Sequence, residues 1–254
     1  MITTNSANAV LITGAGSGIG RAVALELAHR GNSIAVVDRN VDAAKETVGL
    51  IVAAGGAAVA VAADVTRRED LDAAVATTEA AFGGVNAVVA NAGLASYPTP
   101  ADEVSDELFD LIYAVNVKGA WNTVRAAVPA LRRAGGGSVV LTGSIMGERT
   151  RPGQAAYASS KAAVNHLARS FALDFAADKI RVNAVAPVAT DTAMLPMFLG
   201  PEHPEEARAM FLASIPLGRL ASAEDVAHGV AYLLSTDAAF LTGVVLPIDG
   251  GRSI

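Results

Sequence analysis

Tyr157 and Lys161 stand four apart in the stretch QAAYASSKAAV, residues 154–164. On a helix this spacing places a phenol and an amine on one face, one turn apart. The surrounding Ala and Ser residues are expected to leave both side chains uncovered. A phenol has a reference pKa near ~10, and making it a base near neutrality takes roughly 4 kcal/mol of preferential phenolate stabilisation. One cation at ~4 Å, with an effective dielectric near 20, supplies about that amount. The pair therefore has the composition of a proton-transferring group and its tuning cation, although two such residues alone also suit a solvated helix surface.

A second constellation lies at the start of the chain. VLITGAGSGIG carries Gly14, Gly16, Gly18 and Gly20, with Ser17 and Ile19 between them, after an apolar run and at the opening of a helical pattern. Glycines allow a sharp turn and close approach of the backbone to a pyrophosphate, and the helix N-terminus offers free N–H groups. Asp38 closes the next apolar run, 18 residues after Gly20. A carboxylate there can accept both ribose hydroxyls of an adenosine and repels a 2′-phosphate, which favours NAD over NADP. Arg39 works in the opposite direction, because it can pair with such a phosphate.

Elements must hold these groups in place. Val-rich runs at 9–13, 33–38, 57–64, 86–91, 138–143, 180–187 and 243–249 read as buried strands. The segments 18–30, 40–53, 66–82, 105–133, 155–177 and 222–236 are long enough for helices. Such alternation predicts an α/β fold, with a parallel sheet covered on both faces. Residues 134–137, AGGG, read as a helix stop before a strand. The chain is read as one domain over 1–254. Residues 188–215 break the alternation with prolines and a Met-Phe-Leu cluster, and are read as a helical lid over a pocket.

Composition narrows the possible functions. The 254 residues are 52% hydrophobic and 17% charged, with a formal net charge of -6. That balance gives a phosphate-binding face no general basic excess, so nucleic acid is not expected as a partner. Cysteine is absent, which excludes disulfides, thiol catalysis and cysteine-ligated metal. The N-terminus shows no basic, apolar leader, and no window resembles a membrane span. A cytoplasmic protein with no membrane partner is expected. His29, His166, His203 and His228 lack metal-ligand spacing, so no metal site is expected. Asp102, Glu103, Asp106, Glu107 and Asp110 read as a solvated helix face.

Taken in order along the chain, these motifs resemble the short-chain dehydrogenase/reductase family in its compact branch. TGAGSGIG matches the family's cofactor turn, NAG at 91–93 the segment after its fourth strand, and VNVKG the segment holding its asparagine, Asn116. LTGSIMG carries its serine, Ser144, 13 residues before the tyrosine of YASSK. The resemblance covers essentially the whole chain. It implies a Rossmann-type, doubly wound, seven-stranded parallel sheet and reversible hydride transfer between a nicotinamide and an alcohol/carbonyl pair. By resemblance Tyr157 is the acid/base, Lys161 its partner and ribose anchor, Ser144 the ligand of the substrate oxygen, and Asn116 the proton-relay residue. Gly14, Ser17, Gly18, Ile19, Gly20 and Asp38 are implied as cofactor contacts. Asp64 and Val65 are implied on the adenine, Asn91 and Gly93 on the adenosine ribose side, and Pro187, Thr190 and Thr192 near the carboxamide. The chain departs from the family at Val188, where glycine is usual, and at Thr190, where an apolar residue is usual.

Three functions follow from this set. The first is an NAD-dependent dehydrogenase of a secondary alcohol, polyol, sugar or hydroxy acid. The second is an NADPH-dependent 3-oxoacyl thioester reductase, suggested by LTGVVLPIDGG. Asp38 opposes it, as does the expectation that no arginine surrounds Gly135 and Asp178, where basic docking residues would sit. The third is a non-catalytic nicotinamide-binding sensor. The substrate pocket is expected from Leu94, Ala95 and Tyr97, from 145–155, and from the lid, with Arg149 or Arg151 available to an acidic substrate. By resemblance the chain forms a homotetramer through 105–133, 155–177 and the last strand. Trp121 reads as core or subunit interface.

Overall fold

The apolar runs form strands in the computed structural model, which describes residues 8–254. They are β1 (Ala9–Thr13), β2 (Ser33–Asp38), β3 (Ala57–Ala62), β4 (Ala87–Ala90), β5 (Gly137–Thr142), β6 (Ile180–Pro187) and β7 (Val245–Ile248). All pair in parallel in one 7-stranded sheet of order β3-β2-β1-β4-β5-β6-β7. The reading of the extreme N-terminus falls largely on residues 1–7, outside the described residues.

Successive side chains of a strand point to opposite faces, and here both directions are apolar. Leu11, Val88, Val139 and Val182 face one core, with Leu71, Val124 and Phe171. Those helical residues belong to α3 (Arg68–Phe82), α5 (Gly119–Arg133) and α6 (Ala155–Phe175). Val10, Ile12, Val36 and Val185 face a second core, with Val23, Leu27, Val226 and Val230. These come from α1 (Gly18–His29) and α9 (Ala223–Leu234), beside α2 (Val41–Ala53). Each fully buried aliphatic side chain contributes about 1.5–3 kcal/mol, so the unbroken apolar runs are what a doubly covered sheet requires.

Three details differ from the sequence reading. The single helix expected at 105–133 is α4 (Asp106–Tyr113) and α5, joined through a π-helical turn at Ala114–Lys118. β3 stops at Ala62 because the chain turns at Asp64, whose carboxylate accepts from the backbone N–H and hydroxyl of Thr66. The run expected at 138–143 is β5 at Gly137–Thr142, and Ser144, two residues beyond it, caps a short 3-10 turn by accepting from the Met146 N–H. The charge around Gly135 and Asp178 also needs correction. Arg132 pairs with Asp178 at 2.7 Å and Arg133 with Glu79 at 2.7 Å, so arginines are present there but joined to carboxylates.

The glycine turn shows why side chains are excluded from it. A Cβ on Gly20 would lie 2.1 Å from the Gly14 carbonyl oxygen. Gly49, within α2, has open space at the same position. Gly20→Ala is expected to lower unfolding stability by about 1–3 kcal/mol through overpacking. Gly49→Ala is expected to raise it by about 0.5–1 kcal/mol through helix propensity. Urea denaturation of the two variants checks both signs.

Candidate active site

The strand order reverses between β1 and β4, and open α/β sheets place ligands outside the carboxyl ends of their strands at such a point. A cavity of ≈ 540 Å³ lies there. Asn91 ties its floor together. Its amide nitrogen donates to the carbonyls of Thr13 and Gly14, each at 3.1 Å, and its amide oxygen accepts from the Thr142 hydroxyl at 3.2 Å. Asn91 lines the cavity, and its side chain is engaged by the ends of β1 and β5.

One end of the cavity has the shape of a dinucleotide cradle. Gly14, Ser17, Gly18, Ile19 and Gly20 line it. Gly14 and Gly18 take φ of 65° and 51°, a left-handed conformation that favours glycine. Ser17 precedes α1 without capping it, and the first turn of α1 holds no acidic residue. The N–H groups and positive end of that helix therefore face the cavity uncompensated, a setting that suits a pyrophosphate. Asp38 lines the same end. Its two carboxylate oxygens accept from the Gly16 and Asn40 N–H groups, each at 2.9 Å. These bonds fix the carboxylate while leaving each oxygen a lone pair for a ribose hydroxyl. A Cβ on Gly16 would lie 2.9 Å from that carboxylate, so glycine is required for the contact. Asp64, Val65 and Gly93 also line the cavity, as does Arg39. Asp64 is held below its ordinary pKa chiefly by the Thr66 N–H, with smaller help from Arg39 and Arg67. The residues present fit a nicotinamide dinucleotide.

The other end brings Ser144, Tyr157 and Lys161 together. The Ser144 hydroxyl donates to the Pro187 carbonyl at 3.4 Å and lies near enough to the Tyr157 phenol to pull its pKa down. The Lys161 ammonium donates to the Thr142 carbonyl at 2.8 Å and lies 5.8 Å from the phenol ring centre. Tyr157 and Lys161 are 6% and 5% exposed, so the small residues around them do not leave them uncovered. Burial dominates both groups: it pushes the phenol up to about 12, against the pull of Ser144, and the ammonium down to about 8. Desolvation disfavours phenolate and ammonium alike, and the bond that Lys161 donates is to the Thr142 carbonyl.

Asn116 is the one predicted site residue that does not line the cavity. It is buried in the π turn. Its oxygen accepts from the Leu94 N–H at 2.7 Å, and its nitrogen donates to the Leu94 carbonyl at 3.0 Å and the Ser160 hydroxyl at 2.9 Å. A side chain so fully engaged positions the 91–95 loop. π turns of this kind often occur at functional sites.

Pro187, Thr190 and Thr192 line the lid side. Val188 replaces the family glycine without left-handed backbone, and its side chain packs with Ile145, Leu195 and Phe211. Residues 188–215, expected as a lid, hold α7 (Leu195–Leu199) and α8 (Pro204–Ala213). Of the expected pocket residues, Leu94, Ile145 and Met146 line the cavity, whereas Ala95 packs beneath Tyr157 and Tyr97 is exposed. Arg149 and Arg151 do not line it, Arg149 being exposed and Arg151 half-buried. Sequence reasoning missed Arg252, which lines the cavity from the turn after β7. The only signal for it was an unpaired arginine beside the last strand. Among the described residues no group of three or more His, Asp or Glu is disposed to hold a metal ion.

A family model described as enoyl-(acyl carrier protein) reductase, of the short-chain alcohol dehydrogenase type, matches residues 14–253. The 4-formylbenzenesulfonate dehydrogenase of Comamonas testosteroni is 41% identical over 244 residues, 96% of this chain and 97% of that protein. Cyclohexanol dehydrogenase of an Acinetobacter species is 39% identical, over 94% of this chain and 92% of its own. A solved 3-ketoacyl-(acyl-carrier-protein) reductase of Brucella melitensis, complexed with NADH, superposes with a TM-score of 0.91 at 39% identity, covering 97% of this chain and 98% of that one. The chain belongs to the short-chain dehydrogenase/reductase family. It is an oxidoreductase acting on CH–OH groups with a nicotinamide cofactor.

Burial of Lys161 has a measurable signature. Its folded pKa of about 8 lies below the ordinary 10.5, so between those values the unfolded chain holds the proton that the folded chain has lost. Stability then rises with pH across this window. Relative to Lys161→Met, the unfolding free energy of the wild type is expected to climb by roughly 3 kcal/mol at most between pH 8 and 10.5. Denaturant titrations at stepped pH check the sign, and a flat difference would contradict the buried ammonium.

Proposed function

We propose that the chain is an NAD-dependent dehydrogenase that transfers a hydride between the cofactor and a secondary alcohol/carbonyl pair, with Tyr157 as acid/base. The carrying observation is the convergence of Ser144, Tyr157 and Lys161 on the cavity whose far end holds the α1 N-terminus and Asp38. Bound oxidised nicotinamide supplies the hydride acceptor and a positive charge beside the phenol. Asp38 and the N–H groups of residues 17–20 would hold the adenosine ribose and pyrophosphate, and Lys161 the nicotinamide ribose. Pro187, Thr190 and Thr192 would meet the carboxamide. Tyr157, as the phenolate that the cofactor's positive charge would favour, takes the proton of the substrate hydroxyl and becomes the neutral phenol, and Ser144 donates to the substrate oxygen as negative charge develops there. In the reverse direction Tyr157 returns that proton. Asn116 acts through the 91–95 loop, with its main chain available to a relay water.

NAD over NADP is supported by the anchored Asp38 carboxylate, and by Arg39, whose charge acts on Asp64. The substrate walls, residues 188–215 acting as lid among them, are largely apolar: Leu94, Met146, Val188, Met194, Phe198 and Phe211. Among the expected classes this favours a simple secondary alcohol over a sugar or polyol, whose further hydroxyls would lack partners. A second reading, reduction of a 3-oxoacyl thioester, is supported by the Brucella melitensis neighbour. The ion pairs of Arg132 and Arg133 weigh against a basic docking face for an acyl carrier.

A rate screen of secondary alcohols, hydroxy acids and 3-oxoacyl thioesters with NAD and NADP tests this reading. The expected best pair is NAD with an alcohol. Tyr157→Phe should then lose about 10²–10⁴-fold in kcat, and Asp38→Ala should shrink the NAD/NADP ratio. Full turnover by Tyr157→Phe would refute the assignment.

We infer further that the chain forms a homotetramer through α5 and α6, supported by the exposed apolar Trp121 and Leu173 on these helices, at 40% and 84% exposure. Light scattering is expected to give four times the chain mass of 25.7 kDa. A monomer mass would contradict it.

A further inference from the structure

We propose that the lid side of the cavity holds an anion-binding subsite centred on Arg252, so that the substrate is an alcohol or ketone carrying a carboxylate or sulfonate distant from the reacting carbon. The proposal rests on the hydride-transfer reading for the identity of the reacting end.

Three arginines converge there. Arg151 and Arg252 both lie against the ring of Phe211, with guanidinium carbons 4.7 and 4.9 Å from its centre. Arg149 donates to the main-chain carbonyl of Arg252. Arg151 donates to the Phe198 carbonyl, and its Nε is buried with no partner. Among the described residues the Arg252 guanidinium makes no hydrogen bond, so its donors are unmet where it borders the cavity.

The charges are compensated only in part, by Asp249 acting on Arg252. Burial first, and then Arg252, lowers the Arg151 pKa; burial first, and then Arg149, lowers that of Arg252. Nearby acids are engaged elsewhere. Glu148 pairs with Arg169 at 3.6 Å. Asp249 opposes the lowering at Arg252, yet its two oxygens accept from the Gly251 and Ser253 N–H groups and shape the turn carrying Arg252. Half-buried cations that repel one another are unfavourable without a counter-charge. Phe211 offsets part of this through its ring face. A planar or trigonal oxyanion offers the rest by accepting two parallel N–H bonds from one guanidinium.

The position relative to the chemistry fixes the ligand class. The Tyr157 ring meets the Phe198 ring edge-on at 5.2 Å, and the Phe198 carbonyl receives Arg151. One aromatic residue thus separates the acid/base phenol from the arginine cluster. A substrate that reaches both needs a reacting carbon at one end, an apolar spacer beside Phe198, and an anion at the other end.

The test compares 4-(1-hydroxyethyl)benzoate, 4-(1-hydroxyethyl)benzenesulfonate and neutral 1-phenylethanol with the intact enzyme. The wild type is expected to favour at least one anionic probe by about 10- to 100-fold in kcat/KM, and the two anionic arms identify which oxyanion the site prefers. Arg252→Gln should collapse that ratio, and Arg252→Lys should keep part of it. Calorimetric binding of the same probes is measured in parallel. If no probe turns over while the anions still bind more tightly to the wild type than to Arg252→Gln, the hydride reading fails and the subsite stands. A wild-type ratio near one by both measures overturns the subsite, and so does a ratio that Arg252→Gln leaves unchanged. Should the glutamine variant not fold, the wild-type ratio and the lysine variant decide.

Discussion

The site depends on a tie between strand ends. Asn91 holds the carboxyl ends of β1, β4 and β5 through one amide group. Parallel strands converge there because the strand order reverses between β1 and β4, and the cavity is the gap this reversal leaves. Everything reactive is then referenced to those ends. Gly14 continues β1, Asp38 closes β2, Ser144 follows β5 and Pro187 closes β6. The two apolar cores keep the sheet rigid beneath them, so side chains from distant parts of the sequence are fixed in one frame.

Within that frame the electrostatics are left unbalanced. Tyr157 and Lys161 are buried together, and burial moves each toward its neutral form, the phenol to about 12 and the amine to about 8. The helical spacing brings the two side chains to one place without, by itself, making the phenol acidic. A positive charge arriving beside them acts on a phenol poised in a low-dielectric setting, where charge–charge interactions are stronger than in water. The helix N-terminus and fixed carboxylate at the other end are likewise groups whose partners come from outside the chain.

Much of this was legible in the sequence because its physical causes are local. The Val-rich runs bounded by turn formers gave strand positions within a few residues, and the glycine turn with Asp38 marked the cofactor end. The i, i+4 spacing put Tyr157 and Lys161 on one face. What was not legible depends on contacts between distant segments. Asn91 and Asn116 are polar residues in expected places, but only the folded chain shows that their side chains serve the main chains of Gly14 and Leu94. The π turn has no periodicity of its own. The burial of Tyr157 cannot be read from its small neighbours, since Ala95 and Met146 from other segments pack against it. Arg252 enters the cavity because β7 ends beside the lid, a tertiary fact.

The lid has its own small core. Ile145, Val188, Leu195, Phe211, Ile215 and Leu220 form a cluster separate from the two that hold the sheet. Opening free energy in a protein varies by region and follows the apolar contacts that a region must give up. Loosening α7 and α8 gives up this cluster and the contacts of Met197 and Phe198 around Tyr157, and leaves both sheet cores closed. The strand ends and the segment packed over them are therefore held largely by different apolar clusters.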